Sequence, residues 1–244
     1  MKIAILSDIH GNSWALSAVL TDIKSKNIPT IFNLGDSLYG PLDPRGTFEL
    51  IMSNKMISIS GNEDRMILES PDKKPDSPTL EYVKGNLPRN AFDWLRELPQ
   101  NLFHENIIYG CHGIPSDDSV YLLECVEKDQ ITLKSNSEIK DLVKGIDQRI
   151  IVCGHSHISR VVYTEEKIII NPGSVGCPAF DDDVPAYHKM ENHHNCAQYS
   201  ILEVNGSNQR VEQIRVPYDY QSAAKAAILN NRPDWAKWVV TGRV

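Results

Sequence analysis

Three short apolar segments, each closed by a polar turn that contains glycine, constrain the fold of this chain most strongly. They span residues 2–7, 30–34 and 56–60, and segments with helical spacing of apolar residues separate them. A continuous apolar run of this length predicts a buried strand. Strands that alternate with helices predict a parallel sheet with helical crossovers. Because ligands collect at the carboxyl ends of parallel strands, we expect the three turns to meet at one edge of the sheet.

The first turn carries Asp8 and His10, followed by Gly11. Residues two apart in an extended chain point the same way, so a carboxylate and an imidazole face one point in space. Taken alone, an Asp-x-His pair at a strand end arises by chance more often than it serves chemistry. Its meaning therefore depends on which other side chains reach the same point.

The remaining pattern predicts a single domain over residues 1–244 with one insertion. Helices are predicted over 12–27 and 44–54, and one or two more over 79–98 after a charged, proline-rich loop at 70–78. The segment 70–98 reads as a small helical cap over the sheet edge, although plain packing against the body fits the pattern equally well. The second half of the chain predicts mainly strands, at 101–105, 106–110, 149–153, 160–171, 197–204 and 209–216, with a helical end from 218.

Composition excludes several classes of protein. The net charge of −7 argues against a general nucleic-acid binder, which needs a basic surface. No apolar run approaches the roughly 20 residues that cross a bilayer, and the chain enters its first strand without a signal peptide. The five cysteines are scattered and form no CxxC pair, which is typical of reduced thiols. We therefore expect a cytoplasmic protein that does not contact membranes. The sequence is compatible with a homo-oligomer.

Seven polar side chains lie just beyond predicted buried strands. They are Asp8, His10, Asp36, Asn62, His112, His155 and His157. Their mixture of carboxylate, amide and imidazole groups suits first-row divalent metals. Seven ligands are too many for one tetrahedral site but suit two ions that share a carboxylate. Two ions about 3.5–4 Å apart can clamp a phosphoryl group and generate hydroxide near neutral pH. Each residue alone could have a purely structural role, but chance does not readily explain why all seven lie at strand ends.

The ordered motifs DIH, GDSLYG, GNED, CHG and GHSH resemble those of the calcineurin-like metallophosphoesterase superfamily, particularly its small bacterial phosphodiesterase-like members. The resemblance implies an α/β fold, a four-layer α/β/β/α sandwich of two mixed sheets with a dinuclear centre between them. It implies that one metal is held by Asp8, His10 and His157, that the other is held by Asn62, His112 and His155, and that Asp36 bridges them. Mn, Fe, Zn, Co and Ni all accept such ligands, and we favour Mn.

One position departs from the family pattern. The third motif of the family usually reads GNH followed by Asp or Glu, and that histidine helps the leaving group depart; here the position is Glu63. On the surface Glu63 would do nothing chemical, whereas a site-facing carboxyl with a raised pKa could donate a proton. An ionised carboxylate would repel a phosphate dianion more than a diester monoanion, so the hypothesis favours diesters, or substrates with good leaving groups, over simple monoesters. Asn62, Glu63 and Asp64 are thus the candidate catalytic groups.

Further polar residues have weaker claims on the site. Asn12 and Asn171 are predicted to orient the metal ligands. The segment 180–196 contains His188, His193 and His194, which would form a third metal site or reach the substrate; a solvated loop without function is the commoner explanation.

The sequence therefore predicts a cytoplasmic phosphohydrolase that acts on a small phosphoester. The most concrete form is a phosphodiesterase in which metal-bound hydroxide attacks phosphorus in line. The alternatives are a hydrolase of dinucleoside polyphosphates and a protein phosphatase. A third alternative, from another functional class, is a non-catalytic metal-binding scaffold. The retromer subunit with this fold is a scaffold, and fold alone does not settle function.

Overall fold

The computed structural model of the protein describes residues 1–69, 77–127 and 130–244. Two five-stranded mixed sheets lie face to face, and helices cover their outer faces. The predicted four-layer α/β/β/α sandwich is confirmed. No helix in these ranges is both long and apolar enough to span a membrane.

Strands alternate with helices in the first part of the chain and dominate the second. The strands are β1 (Lys2–Leu6), β2 (Thr30–Asn33), β3 (Ile57–Ser58), β4 (Asn101–His104), β5 (Ile108–Cys111), β6 (Glu124–Glu127), β7 (Gln130–Leu133), β8 (Ile150–Val152), β9 (Arg160–Tyr163), β10 (Ile168–Asn171), β11 (Ala179–Asp182), β12 (His188–Glu191), β13 (Ala197–Asn205) and β14 (Asn208–Val216). The helices are α1 (Ser13–Ser25), α2 (Pro44–Ser53), α3 (Asn62–Leu68), α4 (Pro78–Asn86), α5 (Arg89–Glu97), α6 (Asn136–Leu142), α7 (Tyr220–Leu229) and α8 (Pro233–Thr241).

The first sheet has the order β14-β13-β1-β2-β3. Strands β1, β2 and β3 are parallel to one another, β13 is antiparallel to β1, and β14 is antiparallel to β13. Side chains alternate between its two faces, as in any strand. Ile3 and Ile5 of β1 point into the core between the sheets, while Ala4 and Leu6 point towards the helical layer that contains α1. Both faces are covered, and this is why β1 reads as a continuous apolar run.

The second sheet has the order β4-β5-β8-β10-β9, and its three central strands are parallel. Ile150 and Ile170 face the first sheet, whereas Ile151 and Ile169 face the outer layer, where they cluster with Ile139 of α6. The carboxyl ends of β5 and β8 therefore lie beside those of β1 and β2, and one edge of the sandwich collects the turns from both sheets.

The predicted cap segment contains two separate helices, α4 and α5. Leu80, Val83, Ala91 and Leu95 are buried in the same apolar cluster as residues of α2 and α3, so both helices pack against the body of the protein. Residues 70–76 of the predicted loop lie outside the described residues. The single-domain boundary at 1–244 and the role of this segment as a cap stay predictions.

The segment 180–196 differs from the solvated loop that its polarity suggested. β11 and β12 pair as an antiparallel hairpin, and His188 is only 2% exposed. Each strand has four residues, too few for a clear alternating pattern, and one of the buried positions holds a histidine rather than an apolar residue. The sequence pattern did not predict the hairpin of β6 and β7 either, because its strands are equally short.

Candidate metal centre

Turns from both sheets bring the predicted ligands together at one edge of the sandwich. Asp8 and His10 follow β1, Asp36 follows β2, and Asn62 begins α3. The ligands from the second sheet, which follow β5 and β8, are His112, His155 and His157. All of these side chains except Asn62 are buried, at no more than 9% exposure.

The ligand atoms divide into two neighbouring groups. Asp8, His10 and His157 form one, and Asp36, His112 and His155 form the other; within each, the ligand atoms lie within 4.8 Å of one another. His157 Nε2 lies 3.3 Å from Asp8 Oδ1. His112 Nε2 lies 3.2 Å from Asp36 Oδ2. A third group joins His10 and Asp36 with Glu63 and so connects the two halves.

Backbone carbonyls fix the orientation of three imidazoles. His10 Nδ1 lies 3.0 Å from the Tyr39 oxygen, His112 Nδ1 lies 2.8 Å from the Leu34 oxygen, and His157 Nδ1 lies 2.7 Å from the Cys177 oxygen. A carbonyl can only accept, so in each ring Nδ1 carries a proton and Nε2 is the atom directed at the centre, where a metal ion would take the place of any proton on it. Histidine ligands are oriented in this way in metal sites.

The backbone around the centre takes an uncommon conformation. Asp8, His10, Asp36, His155 and His157 all have left-handed φ angles, between 51° and 67°. Residues other than glycine seldom adopt this region, and such strain costs on the order of 1 kcal/mol or more at each position. Strained residues cluster at functional sites, so their convergence on one point indicates a site built for function.

Several buried polar atoms in the centre lack a hydrogen bond of good geometry, even where an oppositely charged atom lies within 3.3 Å. They include Asp8 Oδ1, Asn62 Oδ1 and His112 Nε2. Leaving such an atom unpaired costs about 1–3 kcal/mol. A carboxylate oxygen, an amide oxygen and an imidazole nitrogen are all electron-pair donors suited to a divalent cation. The residues present therefore fit the metals that the resemblance implies.

The buried carboxylates are ionised at neutral pH only because positive charge lies beside them. Burial raises the pKa of Asp36, but the neighbouring His112 outweighs it and holds that pKa at about 2. Burial lowers the pKa of His112, yet the Asp36 carboxylate brings it to about 10. In His155, burial and the nearby His112 lower the pKa to about 4, so this imidazole is neutral at pH 7. Divalent ions can replace the protons on the charged imidazoles because both satisfy the same carboxylates.

Three predicted residues brace the turns rather than face the centre. The Asp64 carboxylate accepts hydrogen bonds from the Ser37 nitrogen at 3.0 Å and from the Gly61 nitrogen at 3.2 Å. Asn171 Nδ2 donates to the Gly154 oxygen at 2.9 Å. Asn12 caps α1 by accepting a hydrogen bond from the Ala15 nitrogen and donates to the Gly176 oxygen. These bonds hold the loops that carry the ligands.

The histidines of the segment 180–196 do not join the centre. Among the described residues, the groups able to hold a metal contain none of His188, His193 and His194. His188 instead lies within 2.9 Å of the Tyr121 hydroxyl through its Nε2 atom.

Comparison with known proteins identifies the family. A model of the calcineurin-like phosphoesterase superfamily domain matches residues 1–193. The chain belongs to the calcineurin-like phosphoesterase superfamily. It is therefore a phosphoester hydrolase of the metallophosphoesterase class, and the resemblance stated from the motifs is confirmed.

Relatives of this phosphoesterase extend over nearly its whole length. An uncharacterised protein of Methanocaldococcus jannaschii is 30% identical over 256 residues, which cover 96% of this chain and 94% of the relative. The crystal structure of a metallophosphoesterase from Sphaerobacter thermophilus matches with a TM-score of 0.76, 21% identity and 99% coverage of both chains. A hypothetical protein from Pyrococcus horikoshii matches with a TM-score of 0.74, 22% identity and coverage of 99% of this chain and 98% of the other. At these identities the two structures support the fold.

Glu63, where this phosphoesterase departs from the family motif, faces the centre. Its Oε2 atom lies 3.0 Å from His10 Nδ1, and its side chain is 23% exposed. Its backbone nitrogen donates to Asp36 Oδ1 at 2.8 Å. Burial raises the pKa of Glu63 to about 7, so the carboxyl exchanges a proton near neutral pH. The alternative of a surface residue without chemical consequence does not describe this side chain.

A cavity of about 280 Å³ opens beside the centre. Its far wall joins the GDSLYG motif and the segment 180–196 to the start of α8, which sequence reasoning did not connect with the site. The wall residues are Tyr39, Phe180, Asp181, Asp182, Arg232, Trp235 and Trp238. The Trp235 ring meets His10 edge-on at 5.8 Å between centroids, and Phe180 lies 4.5 Å from His157. No local signal links α8 to a turn more than 200 residues earlier; only the fold brings them together.

Proposed function

We propose that this phosphoesterase is a two-metal phosphodiesterase. One ion would be held by Asp8, His10 and His157, the other by Asn62, His112 and His155, with Asp36 shared between them. The unpartnered buried atoms of Asp8, Asn62 and His112 carry the proposal, because they lie where such ions would satisfy them. Mn is favoured among the metals that suit this donor set, and the free cysteines support a cytoplasmic location.

The protein's own residues would prepare the site in three ways. When bound, the ions would neutralise phosphoryl charge and lower the pKa of water. The carbonyl-anchored imidazoles of His10, His112 and His157 keep their Nε2 atoms in place without reorganisation. Glu63 holds a proton at its carboxyl near neutral pH and would pass it to the departing oxygen of the substrate.

The cavity supports a small diester substrate. Its volume of about 280 Å³ lies just below the range of roughly 300–1,000 Å³ of common ligand pockets, which suits one compact phosphoester. Besides the proposed ligand Asp36, three carboxyl groups line it, those of Glu63, Asp181 and Asp182. These groups repel a phosphomonoester dianion about twice as strongly as a diester monoanion, because Coulomb energy scales with charge. The small cavity also argues against a dinucleoside polyphosphate.

Substrate choice is tested by comparing bis-p-nitrophenyl phosphate with p-nitrophenyl phosphate in the metal-loaded enzyme. We expect the higher kcat/KM with the diester. Above about pH 7, where the native carboxyl is ionised, Glu63→Gln should narrow the ratio of the two kcat/KM values, because it removes one of the repelling charges. Glu49→Gln on the exposed face of α2 is the matched control. A clear preference for the monoester in the native enzyme would contradict the diester assignment.

The proton-donor role of Glu63 is tested separately by changing the leaving group. Phenolate is a stronger base than p-nitrophenolate and needs the proton more. We therefore expect Glu63→Gln to slow the phenyl diester more than the p-nitrophenyl diester. General acid catalysis contributes roughly 10²–10⁴-fold, which sets the scale of the loss for the phenyl ester. An equal loss of rate with both esters would contradict the role of Glu63 as proton donor to the leaving group.

A further inference from the structure

His155 differs from the other imidazoles of the centre in what holds it. His10, His112 and His157 each place Nδ1 against a backbone carbonyl. Within the described ranges, His155 has no such carbonyl at either ring nitrogen. Its imidazole instead packs against the ring of Tyr121, with 4.6 Å between centroids and 31° between the planes. The orientation of His155 therefore depends on an aromatic contact.

Tyr121 is itself held at both ends. It is 5% exposed, and its backbone oxygen accepts a hydrogen bond from Lys134 Nζ at 2.7 Å. Its hydroxyl lies 2.9 Å from His188 Nε2. His188 Nδ1 lies 2.8 Å from the Ala186 oxygen, which can only accept. Nδ1 therefore carries the proton, Nε2 accepts, and the Tyr121 hydroxyl donates.

The hairpin of β11 and β12 thus supports both histidines of the GHSH motif. On β12, His188 anchors the tyrosine that packs on His155. On β11, Phe180 packs directly on the His157 ring at 4.5 Å. This arrangement gives a function to the buried histidine of the segment 180–196 without making it a ligand.

We propose that Tyr121, anchored by His188, is a positioning residue that orients His155 for metal binding. The proposal rests on the assignment of His155 as a ligand in the proposed function. Residues that orient metal ligands typically change metal affinity by 10–100-fold when they are mutated. The effect should fall on the ion held by His155 and spare the ion held by Asp8, His10 and His157.

The test is calorimetric titration of the metal-free protein with Mn²⁺, together with elemental analysis. Tyr121→Leu removes the ring contact, Tyr121→Phe keeps the ring but removes the hydroxyl, and His188→Ala removes the anchor. We expect two ions in the native protein. In Tyr121→Leu, the second ion should bind roughly 10–100-fold more weakly and the first unchanged. Tyr121→Phe and His188→Ala should weaken the second ion by a smaller factor.

Tyr163→Leu on β9 is the matched control, because that tyrosine is 62% exposed. Activity of Tyr121→Leu should recover as Mn²⁺ is raised, which a general loss of folded protein would not allow. If Tyr121→Leu fails to fold, the inference is tested by the affinity of Tyr121→Phe and His188→Ala for the second ion, which should be lower than in the native protein. Native affinity for both ions in all three variants would overturn the inference alone. A native protein that binds no ion would overturn the proposed function itself.

Discussion

The close approach of two turns at Gly35 and Gly61 gives a prediction with a worked magnitude. Gly35 has a φ of +97°, and a Cβ there would lie 2.4 Å from the Gly61 nitrogen and 2.7 Å from its Cα. Gly145 has a similar φ of +88°, but a Cβ there would meet nothing within 4 Å. Gly145→Ala therefore measures the backbone penalty alone, and Gly35→Ala measures that penalty plus the collision.

A left-handed residue with a Cβ costs about 1–2 kcal/mol, which both variants share. Forcing an extra carbon against backbone costs about 1–3 kcal/mol more. We expect Gly145→Ala to lower the free energy of unfolding by about 1–2 kcal/mol and Gly35→Ala by about 2–5 kcal/mol. Urea titration followed by tryptophan fluorescence gives both values, provided that the m-value stays constant.

The same variant should impair activity, because Gly35 precedes Asp36 and Gly61 precedes Asn62. Pushing these turns apart moves two proposed ligands, and a displacement of about 1 Å can cost on the order of 10²-fold in rate. Gly145→Ala should keep its activity. Equal stability losses in the two variants, with full activity in Gly35→Ala, would refute the reasoning that these turns meet rigidly.

Two further predictions concern charge. Burial would raise the pKa of Asp118, but its bidentate bond with Arg65 outweighs burial and lowers it. The stability that this pair contributes is therefore present above the unfolded-state pKa near 3.9 and is lost as the pH falls through the folded-state pKa of Asp118. Asp118→Asn should lower the free energy of unfolding by under about 1 kcal/mol at pH 7. Urea titrations should show that the native protein and the variant become equally stable in acid. Arg232 is the one Lys or Arg among the described residues lining the cavity. Arg232→Gln should raise the KM for the diester roughly tenfold or more, since a charged hydrogen bond contributes about 1.5–3 kcal/mol. Lys237→Gln in α8, the helix that Arg232 precedes, should leave the KM unchanged. An unaltered KM in Arg232→Gln would exclude a contact between Arg232 and the phosphoester.

The apolar pattern was sufficient to predict a parallel sheet with helical crossovers, and the four layers came from the family resemblance. Apolar runs such as Lys2–Leu6 are buried on both faces, and the alternation with helices requires parallel strands. The gathering of Asp8, Asp36 and Asn62 at one edge followed from the same rule, because polar residues after parallel strands share that edge. His112 comes from the second sheet, and only the packing of the two sheets brings it to Asp36.

Other features depend on contacts that no local pattern encodes. Arg232 hydrogen-bonds Thr79 across 153 residues of chain, and Trp235 meets His10 from the far end of the sequence. The left-handed backbone at the ligands is also invisible in the sequence, because Asp and His carry no signal for positive φ as strong as glycine does. The burial of His188 was hidden because its polarity suggested solvent.

The central claim is that the centre binds two ions and that Asp36 is shared between them. Elemental analysis of the native protein and of Asp36→Ala, each after metal loading and with diester turnover measured, tests it most directly. Asp93→Ala on the exposed face of α5 is the control. We predict two equivalents of metal and turnover in the native protein and in the control, and the loss of at least one equivalent and most activity in Asp36→Ala. Absence of metal from the native protein, or both ions and full activity in Asp36→Ala, would contradict the claim.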